Sequence, residues 1–234
     1  MCPKIVTIHQ PEHLPWLGFF HKMSHADEFI ILDNVQFRKN YFQNRNKIRT
    51  RTGWQWLTVP IEKHQSTDQI RQIKIKSSEG WEISNLNRIQ ANYVRAPYFT
   101  SFFEDLKKYF SPNSDSLVDL NVQLIKFLQN EMNIPTSIIL ASTILDNPGS
   151  GGTNVTLNLC KAVGADIYLS GVGGREYLDT NHYMQEGIDV IFQDFHHPEY
   201  SQCYEPFIPA MSAIDLLMNH GEKSGDILKG ANLK

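Results

Sequence analysis

The sequence predicts an α/β protein with a Rossmann-like, mainly parallel sheet and flanking helices. Short apolar runs rich in β-branched residues alternate with segments of helical spacing, the order that βαβ units produce. The run at 29–32 is apolar throughout and flanked by acids, as expected of a strand buried on both faces. The 234 residues are 41% hydrophobic, which is enough for one large core. We therefore expect a single α/β domain over 1–234, with a helical lobe inserted at about 81–132.

A polar motif, His9-Gln-Pro-Glu-His13, lies between the first predicted strand and the first predicted helix. Open α/β folds hold ligands at the carboxyl ends of their strands, so His9 and Gln10 are candidate site residues. Pro11 and Pro15 prevent a continuous helix, and His9 and His13 are therefore not an i, i+4 pair on one helical face. Because a zinc site needs further ligands aimed at the same point, we predict no metal site.

The first helix and the second strand add two candidates. The helix at 16–26 carries Trp16 on its apolar face, and the second strand ends at Asp33. Two interpretations of Asp33 stay open. It is either a strand cap or a carboxylate that faces the ligand at the same sheet edge as His9.

The segment from 34 to 61 has no acidic residue and is rich in basic, aromatic and amide side chains. Arginine forks match phosphate oxygens, aromatic rings stack on a base or cover a sugar, and amides read hydroxyls at fixed positions. We favour a site for a phosphorylated small molecule over single-stranded nucleic acid or an ordinary exposed hairpin. The candidate binding residues of this segment are Phe37, Arg38, Asn44, Arg45 and Trp56.

The middle of the chain predicts an antiparallel appendage followed by the helical lobe. Alternation at 53–61 and again at 70–76 indicates two strands next to the basic segment. Helical spacing follows at 81–93, 98–110 and 117–132, with Pro112 between the second and third helices.

The carboxyl-terminal half returns to the sheet with predicted strands at 135–143, 165–170 and 187–193. Ser170 and Arg175 flank a glycine-rich turn after the second of these strands, where an anionic ligand is expected. A histidine pair, His196 and His197, follows the last strand. Adjacent residues on an extended chain point to opposite sides, so at most one of the two faces the site as a candidate base. We choose His196 as the site residue.

Composition excludes several classes of protein. The net charge of −3 and the pI near 6.3 give no general attraction to nucleic acid or anionic membranes. Three unpaired cysteines fit a reducing compartment, and neither a signal peptide nor a membrane span is recognisable. We expect a soluble cytoplasmic protein with a small-molecule substrate and no membrane partner, and we favour that substrate over nucleic acid.

Motifs along nearly the whole chain resemble the WbqC-like family. They are Ile8-His-Gln-Pro-Glu-His-Leu-Pro-Trp-Leu-Gly-Phe-Phe, Leu32-Asp-Asn-Val-Gln-Phe, Phe42-Gln-Asn-Arg-Asn-Lys-Ile, Trp54-Gln-Trp-Leu-Thr-Val-Pro, Tyr168-Leu-Ser-Gly, Tyr177-Leu-Asp, Phe192-Gln and Ser212-Ala-Ile-Asp-Leu-Leu-Met-Asn-His-Gly. The resemblance associates the chain with bacterial surface-polysaccharide (O-antigen) synthesis. It implies a transferase that adds an acyl or aminoacyl group to a nucleotide-linked amino sugar, with an acyl carrier as a candidate partner.

Under this hypothesis the candidate residues divide into four roles. Phosphate would be held by Arg38, Arg45 and Arg175. The base or sugar would be covered by Trp16, Phe37 and Trp56. Hydroxyls would be positioned by Gln10 and Asn44. His9 or His13 would act as base or stabilise the oxyanion, with Asp33 as a further catalytic candidate.

Two rival functions stay open. The strand-to-helix motif is similar to the histidine-pair motif of nucleotidylyl transferases and pantothenate synthetases, which suggests adenylate chemistry or nucleotidyl transfer with ATP as cofactor. It differs from that motif because Glu12 stands where a glycine precedes the second histidine. The other rival is a nucleic-acid or regulatory binding module that uses residues 36–56.

Overall fold

A computed structural model describes residues 2–76, 80–110 and 114–230. Its seven strands are β1 (Ile5–His9), β2 (Glu28–Ile31), β3 (Arg45–Thr50), β4 (Gly53–Thr58), β5 (Ser137–Leu140), β6 (Ile167–Ser170) and β7 (Asp189–Phe192). Its nine α-helices are α1 (Leu17–Ser24), α2 (Trp81–Tyr93), α3 (Phe99–Lys107), α4 (Leu117–Glu131), α5 (Ala141–Ile144), α6 (Gly152–Ala162), α7 (Thr180–Gln185), α8 (Ile214–His220) and α9 (Ser224–Gly230). Within those ranges, no helix is both long and apolar enough to cross a membrane.

Five strands form one parallel sheet in the order β5-β2-β1-β6-β7, and β3 and β4 form a separate antiparallel hairpin. This confirms the predicted mixed α/β class with a parallel sheet, flanking helices and a small antiparallel appendage. The first βαβ unit is present as predicted, since β1, α1 and β2 follow one another and β1 pairs with β2.

Alternate residues of the sheet supply two hydrophobic cores. Phe29 and Ile31 of β2 pack on the side of α1 and the lobe helices α2, α3 and α4. Ile30, from the same strand, packs on the opposite side with residues of α6 such as Leu159. A strand buried on both faces therefore needs an unbroken apolar run, which explains the sequence of β2.

The structure differs from the sequence expectation at 70–76. Residues Ile70–Gln72 form a turn of 3-10 helix instead of a strand, and Ile75 makes only an isolated antiparallel bridge to Ile61. The side chain of Gln72 accepts a hydrogen bond from the backbone N–H of Gln69 at 2.8 Å, and the backbone N–H of Gln72 donates to the Gln69 carbonyl at 2.9 Å. These two bonds close the turn against the alternation of the sequence.

The lobe helices appear close to their predicted bounds, with a short 3-10 turn at Lys108–Phe110 after α3. Pro112, predicted to separate two of them, lies outside the described residues. Helix α8 begins at Ile214 after Ala213, and no side chain caps it.

Candidate functional site

The winding of the chain reverses beside β1, and a cleft of about 1330 Å³ opens there. From β1 the chain proceeds to β2 and β5 on one side, and then to β6 and β7 on the other. In open α/β sheets the ligand crevice lies outside the carboxyl ends of the strands at such a reversal. His9 at the end of β1 and Ser170 at the end of β6 both line the cleft. The topology therefore places a candidate binding site where the sequence analysis expected one.

Two glycine-rich turns form one wall of the cleft. One precedes and opens α6 and includes Gly151 and Gly152, and the other is the segment 171–174 after β6. A Cβ at Gly174 would come within 2.1 Å of the Ser170 hydroxyl, so only glycine fits against that side chain. Backbone close to the ligand and the amino end of an eleven-residue helix both suit an anionic group.

The opposite wall is aromatic. Trp16, Phe19 and Phe195 line it, and the rings of Trp16 and Phe195 meet edge to face with centroids 5.5 Å apart. Gly18 lets the Trp16 ring lie on α1, because a Cβ there would come within 2.4 Å of the indole. Planar rings at this wall suit a nucleobase or the apolar face of a sugar.

At the inner end of the cleft, His9, Glu12 and Lys22 form a polar group, which we call the inner corner. His9 is partly exposed, whereas the other two side chains are buried. Glu12 is 6% exposed and Lys22 is 3% exposed. The Lys22 ammonium donates a hydrogen bond to the Ile8 carbonyl at 2.9 Å, and one Glu12 oxygen, Oε1, lies 3.9 Å from Nε2 of His9. Among the described residues, the other Glu12 oxygen, Oε2, accepts no hydrogen bond.

Burial shifts the pKa values in the inner corner in the directions that favour the neutral form of each side chain. Desolvation, only partly offset by the Lys22 charge, raises the pKa of Glu12 from 4.5 to about 8. Desolvation likewise lowers the pKa of Lys22 to about 7, although Glu12 opposes the change. The pKa of His9 falls to about 3, first through burial and then through the Lys22 charge. A neutral His9 beside two groups that titrate near pH 7 is an arrangement suited to proton transfer.

A chain of amide side chains connects the inner corner to the basic segment. The Gln43 amide donates to the side-chain oxygen of Gln10 at 2.6 Å, and its own oxygen accepts from the Arg38 backbone N–H at 2.8 Å. Arg38 and Tyr41 also line the cleft. The basic segment therefore supplies one edge of the site, with Gln43 as its link to β1.

Of the residues chosen from the sequence, the cleft brings together five, which are His9, Gln10, Trp16, Arg38 and Ser170. Asp33 is buried and satisfied, because its oxygens accept bonds from the backbone N–H and the hydroxyl of Ser142. These bonds to Ser142 fit the interpretation of Asp33 as a strand cap.

Three more sequence candidates lie in the interior away from the cleft lining. His13 is fully buried, with Nδ1 3.3 Å from the Asn121 side-chain oxygen. Phe37 packs in the hydrophobic core, and the Asn44 amide donates to the Val59 carbonyl at 3.0 Å.

The remaining candidates lie on the surface. The Arg45 guanidinium stacks on Trp56 at 4.2 Å from the ring centroid within the hairpin. Arg175 lies over Phe192 at 4.5 Å from that centroid. His196 is exposed and 3.6 Å from Asp194.

Sequence reasoning missed Lys22, left Glu12 without a role and passed over Gln193, whose amide donates to the Gly18 carbonyl at 2.8 Å. A signal for Lys22 was present in the helical period. It follows Phe19 by three residues, so a lysine stood on the apolar face of α1.

Metal ligands are not grouped in the described part of the chain, where no three His, Cys, Asp or Glu side chains converge. The side chains that could hold a charged cofactor or substrate are those of the cleft, with Arg38 and Lys22 as cations.

Fold and cleft together define an α/β protein with a ligand site at the switch point of a parallel sheet. The model of the WbqC-like protein family matches residues 10–227, and the chain belongs to this family, which is associated with O-antigen-related biosynthesis. The chain is also 32% identical over 229 residues to Rv1507c, an uncharacterized protein of Mycobacterium tuberculosis, covering 97% of this chain and 98% of the relative. No solved structure matches the chain.

Proposed function

We propose that the protein forms an amide between an activated acyl or aminoacyl group and the amine of a nucleotide-linked amino sugar. One observation carries this proposal. A single cleft combines a glycine wall that suits an anion, an aromatic wall, and the inner corner with groups suited to proton transfer. Membership of a family associated with O-antigen-related biosynthesis supports the choice of a sugar substrate.

The outer part of the cleft suits the nucleotide. Phosphates would lie against the backbone of Gly151–Gly152 and 171–174, with Arg38 supplying positive charge. The base or sugar would stack on Trp16 and Phe195. Gln10 and Ser170 would hold sugar hydroxyls.

His9 suits a role in positioning a sugar hydroxyl, which can donate a hydrogen bond to it. Its Nδ1 lies 3.0 Å from the Gln10 carbonyl, an oxygen that only accepts, so Nδ1 carries the proton and Nε2 presents a lone pair. An imidazole whose pKa has fallen to about 3 stays neutral at working pH.

Direct attack by the amine fits this site better than a covalent enzyme intermediate. Burial raises the pKa of the Cys160 thiol to about 12, which makes it a poor nucleophile, and it packs in the core beneath the sheet. Cys2 and Cys203 are not among the residues that line the cleft.

The experiment is a mass-spectrometric screen of nucleotide-linked amino sugars with acyl thioesters as donors. We expect a new amide with a sugar that carries a free amine, and none with the matched sugar that carries a hydroxyl at that carbon. Pyrophosphate release from ATP that depends on a carboxylic acid would instead support adenylate chemistry. Failure of every donor and sugar would contradict the proposal.

A matched pair of arginine variants tests the cleft itself. Arg38→Ala should raise KM for the nucleotide sugar roughly tenfold, the scale of one charge-assisted phosphate contact. Arg51→Ala removes the same charge from the exposed turn of the hairpin and should leave KM unchanged. Equal effects of the two variants would show that the cleft is not the nucleotide site.

A further inference from the structure

Glu12 is a buried carboxyl group with one oxygen unsatisfied, and it lines the cleft. A buried acceptor without a partner costs about 1–3 kcal/mol, more when it is charged. Native proteins rarely keep such a group unless it has a use. A ligand that donates a hydrogen bond or a proton to Oε2 would remove this cost.

The surroundings of Glu12 make it a receptor for an amine. Its ionisable neighbours are His9, whose Nε2 lies 3.9 Å from Oε1, and Lys22, which acts on it electrostatically. Lys22 is held by the Ile8 carbonyl and does not fill the place at Oε2. A hydroxyl and an amine both donate hydrogen bonds, but only an amine brings a proton that a carboxylate can keep.

We propose that Glu12 receives the acceptor amine in the cleft and takes its proton as the amide forms, while Lys22 is a positioning residue that stabilises the carboxylate. This inference rests on the proposed function and names the base that the sequence left open between His9 and His13. His13 is buried against Asn121, away from the cleft lining.

The step balances with an acyl thioester as donor. The amine nitrogen attacks the acyl carbon, the new C–N bond forms, and the C–S bond breaks with its electron pair leaving on sulfur. The surplus nitrogen proton passes to Glu12 and then to the departing thiolate, which leaves as a thiol. Glu12 is thus regenerated as a carboxylate.

The electrostatics favour Glu12 over His9 for this task. A base works best when its pKa lies near the working pH. Burial brings the pKa of Glu12 to about 8, whereas it lowers that of His9 to about 3. Lys22 prevents a further rise, because its charge lowers the Glu12 pKa.

A first test needs no turnover. Glutamate labelled with 13C at the carboxyl carbon would be followed by NMR in the whole protein, with the Glu12 signal assigned from Glu12→Gln and, should that variant not fold, from Glu12→Asp. Glucosamine and glucose are the probes, each raised to its solubility limit. We expect glucosamine to shift the Glu12 signal and glucose to leave it in place. No shift, or equal shifts with both sugars, would overturn the inference.

A second test uses amide formation by the whole protein. Glu12→Gln should lower kcat by roughly 100-fold or more, the usual contribution of a general base, with little change in the donor KM. Glu12→Asp should recover part of the rate and move the pH profile. Glu28→Gln, a matched carboxylate at the opposite end of the sheet that is paired with Lys4 at 3.0 Å, should keep the full rate.

The two tests separate failure of the inference from failure of the proposed function. A glucosamine-specific shift without amide formation by any donor would retain Glu12 as an amine site and refute acyl transfer. Amide formation that Glu12→Gln leaves at full rate would retain acyl transfer and refute the role of Glu12.

Discussion

The protein contains two buried polar groups of opposite character. One is the inner corner of the cleft, formed by His9, Glu12 and Lys22. The other, which we call the tail clamp, joins the hairpin to the carboxyl-terminal segment through Arg49 and Asp215. Both place ionisable groups away from water, yet of the two only the inner corner has a carboxyl oxygen without a hydrogen-bond partner.

In the tail clamp every charged group is satisfied. Arg49 is 1% exposed and donates to carbonyl oxygens of Gly53, Tyr204 and Pro206 at 2.8, 3.1 and 2.8 Å. The carboxylate of Asp215 accepts bonds from the hydroxyls of Tyr93 and Tyr200 and from the Gln202 amide, at 2.8, 2.9 and 2.8 Å. This closed network has no side chain left for a ligand.

The difference separates structure from function. A fully bonded buried group stabilises the fold and is costly to break. A buried group with an unused oxygen in a cleft costs stability and is retained where a ligand completes it. We therefore expect the tail clamp to act as a stability element and the inner corner to act in function, which gives opposite expectations for their variants.

The largest expected effect is that of Arg49→Leu. The change leaves four backbone carbonyls, those of Thr50, Gly53, Tyr204 and Pro206, without their donor and removes the cation near Asp215. It should lower the free energy of unfolding by about 3–5 kcal/mol. Urea unfolding measures this loss. Arg51→Leu, in the exposed turn of the same hairpin, is the control and should change stability by less than about 0.5 kcal/mol. A loss below about 1 kcal/mol, roughly the contribution of a surface ion pair, would contradict a stabilising role of the tail clamp.

The next effect is a stability gain for Glu12→Gln at high pH. The pKa of Glu12 rises from 4.5 to about 8 in the folded protein. As the pH increases through that range, the unfolded chain ionises first, and the free energy of unfolding therefore falls. Glutamine does not ionise, so the variant should gain about 3–4 kcal/mol over wild type between pH 5 and pH 8. Urea unfolding at both pH values checks the sign. A relative loss with rising pH would mean that the folded protein stabilises Glu12 as a carboxylate.

A smaller effect is expected for His13→Gln, which tests an unsatisfied group outside the cleft lining. In the described part of the chain, Nε2 of His13 has no hydrogen-bond partner, and burial lowers its pKa from 6.5 to about 4. The unfolded chain therefore takes up the proton first, and stability falls as pH drops from 6.5 toward 4. In His13→Gln the decrease in the free energy of unfolding between pH 6.5 and pH 5 should therefore be smaller by about 1–2 kcal/mol.

Unfolding curves of wild type and His13→Gln at the two pH values provide the comparison. Parallel losses in the two proteins would show that His13 is protonated in the folded state, which contradicts its burial as a neutral group.

Much of the fold could be predicted because its signals are local. The apolar run of β2, the helical spacing of α4 and the alternation of β4 each reflect which faces are buried. The segment 70–76 could not be predicted in this way. There the glutamines at 69 and 72 close a turn by side-chain bonds that compete with the alternating pattern.

The candidate site was predictable in place but not in its members. The polar end of β1 and the turn after β6 indicated the sheet edge, and both line the cleft. Arg45 and Arg175 look identical to Arg38 in sequence, yet they stack on Trp56 and Phe192. Which arginine faces the cleft depends on how the hairpin packs against the sheet, and that is a long-range property. The meeting of Glu12 and Lys22 likewise depends on the turn from β1 into α1.

We propose that a substrate amine binds at the unsatisfied oxygen of Glu12. A crystal structure of the protein soaked with glucosamine tests it most directly. We expect the sugar nitrogen to lie within about 3.2 Å of Oε2 of Glu12, the limit of an ordinary hydrogen bond. A sugar bound in the cleft with its amine turned away from Glu12, or bound elsewhere on the protein, would contradict it.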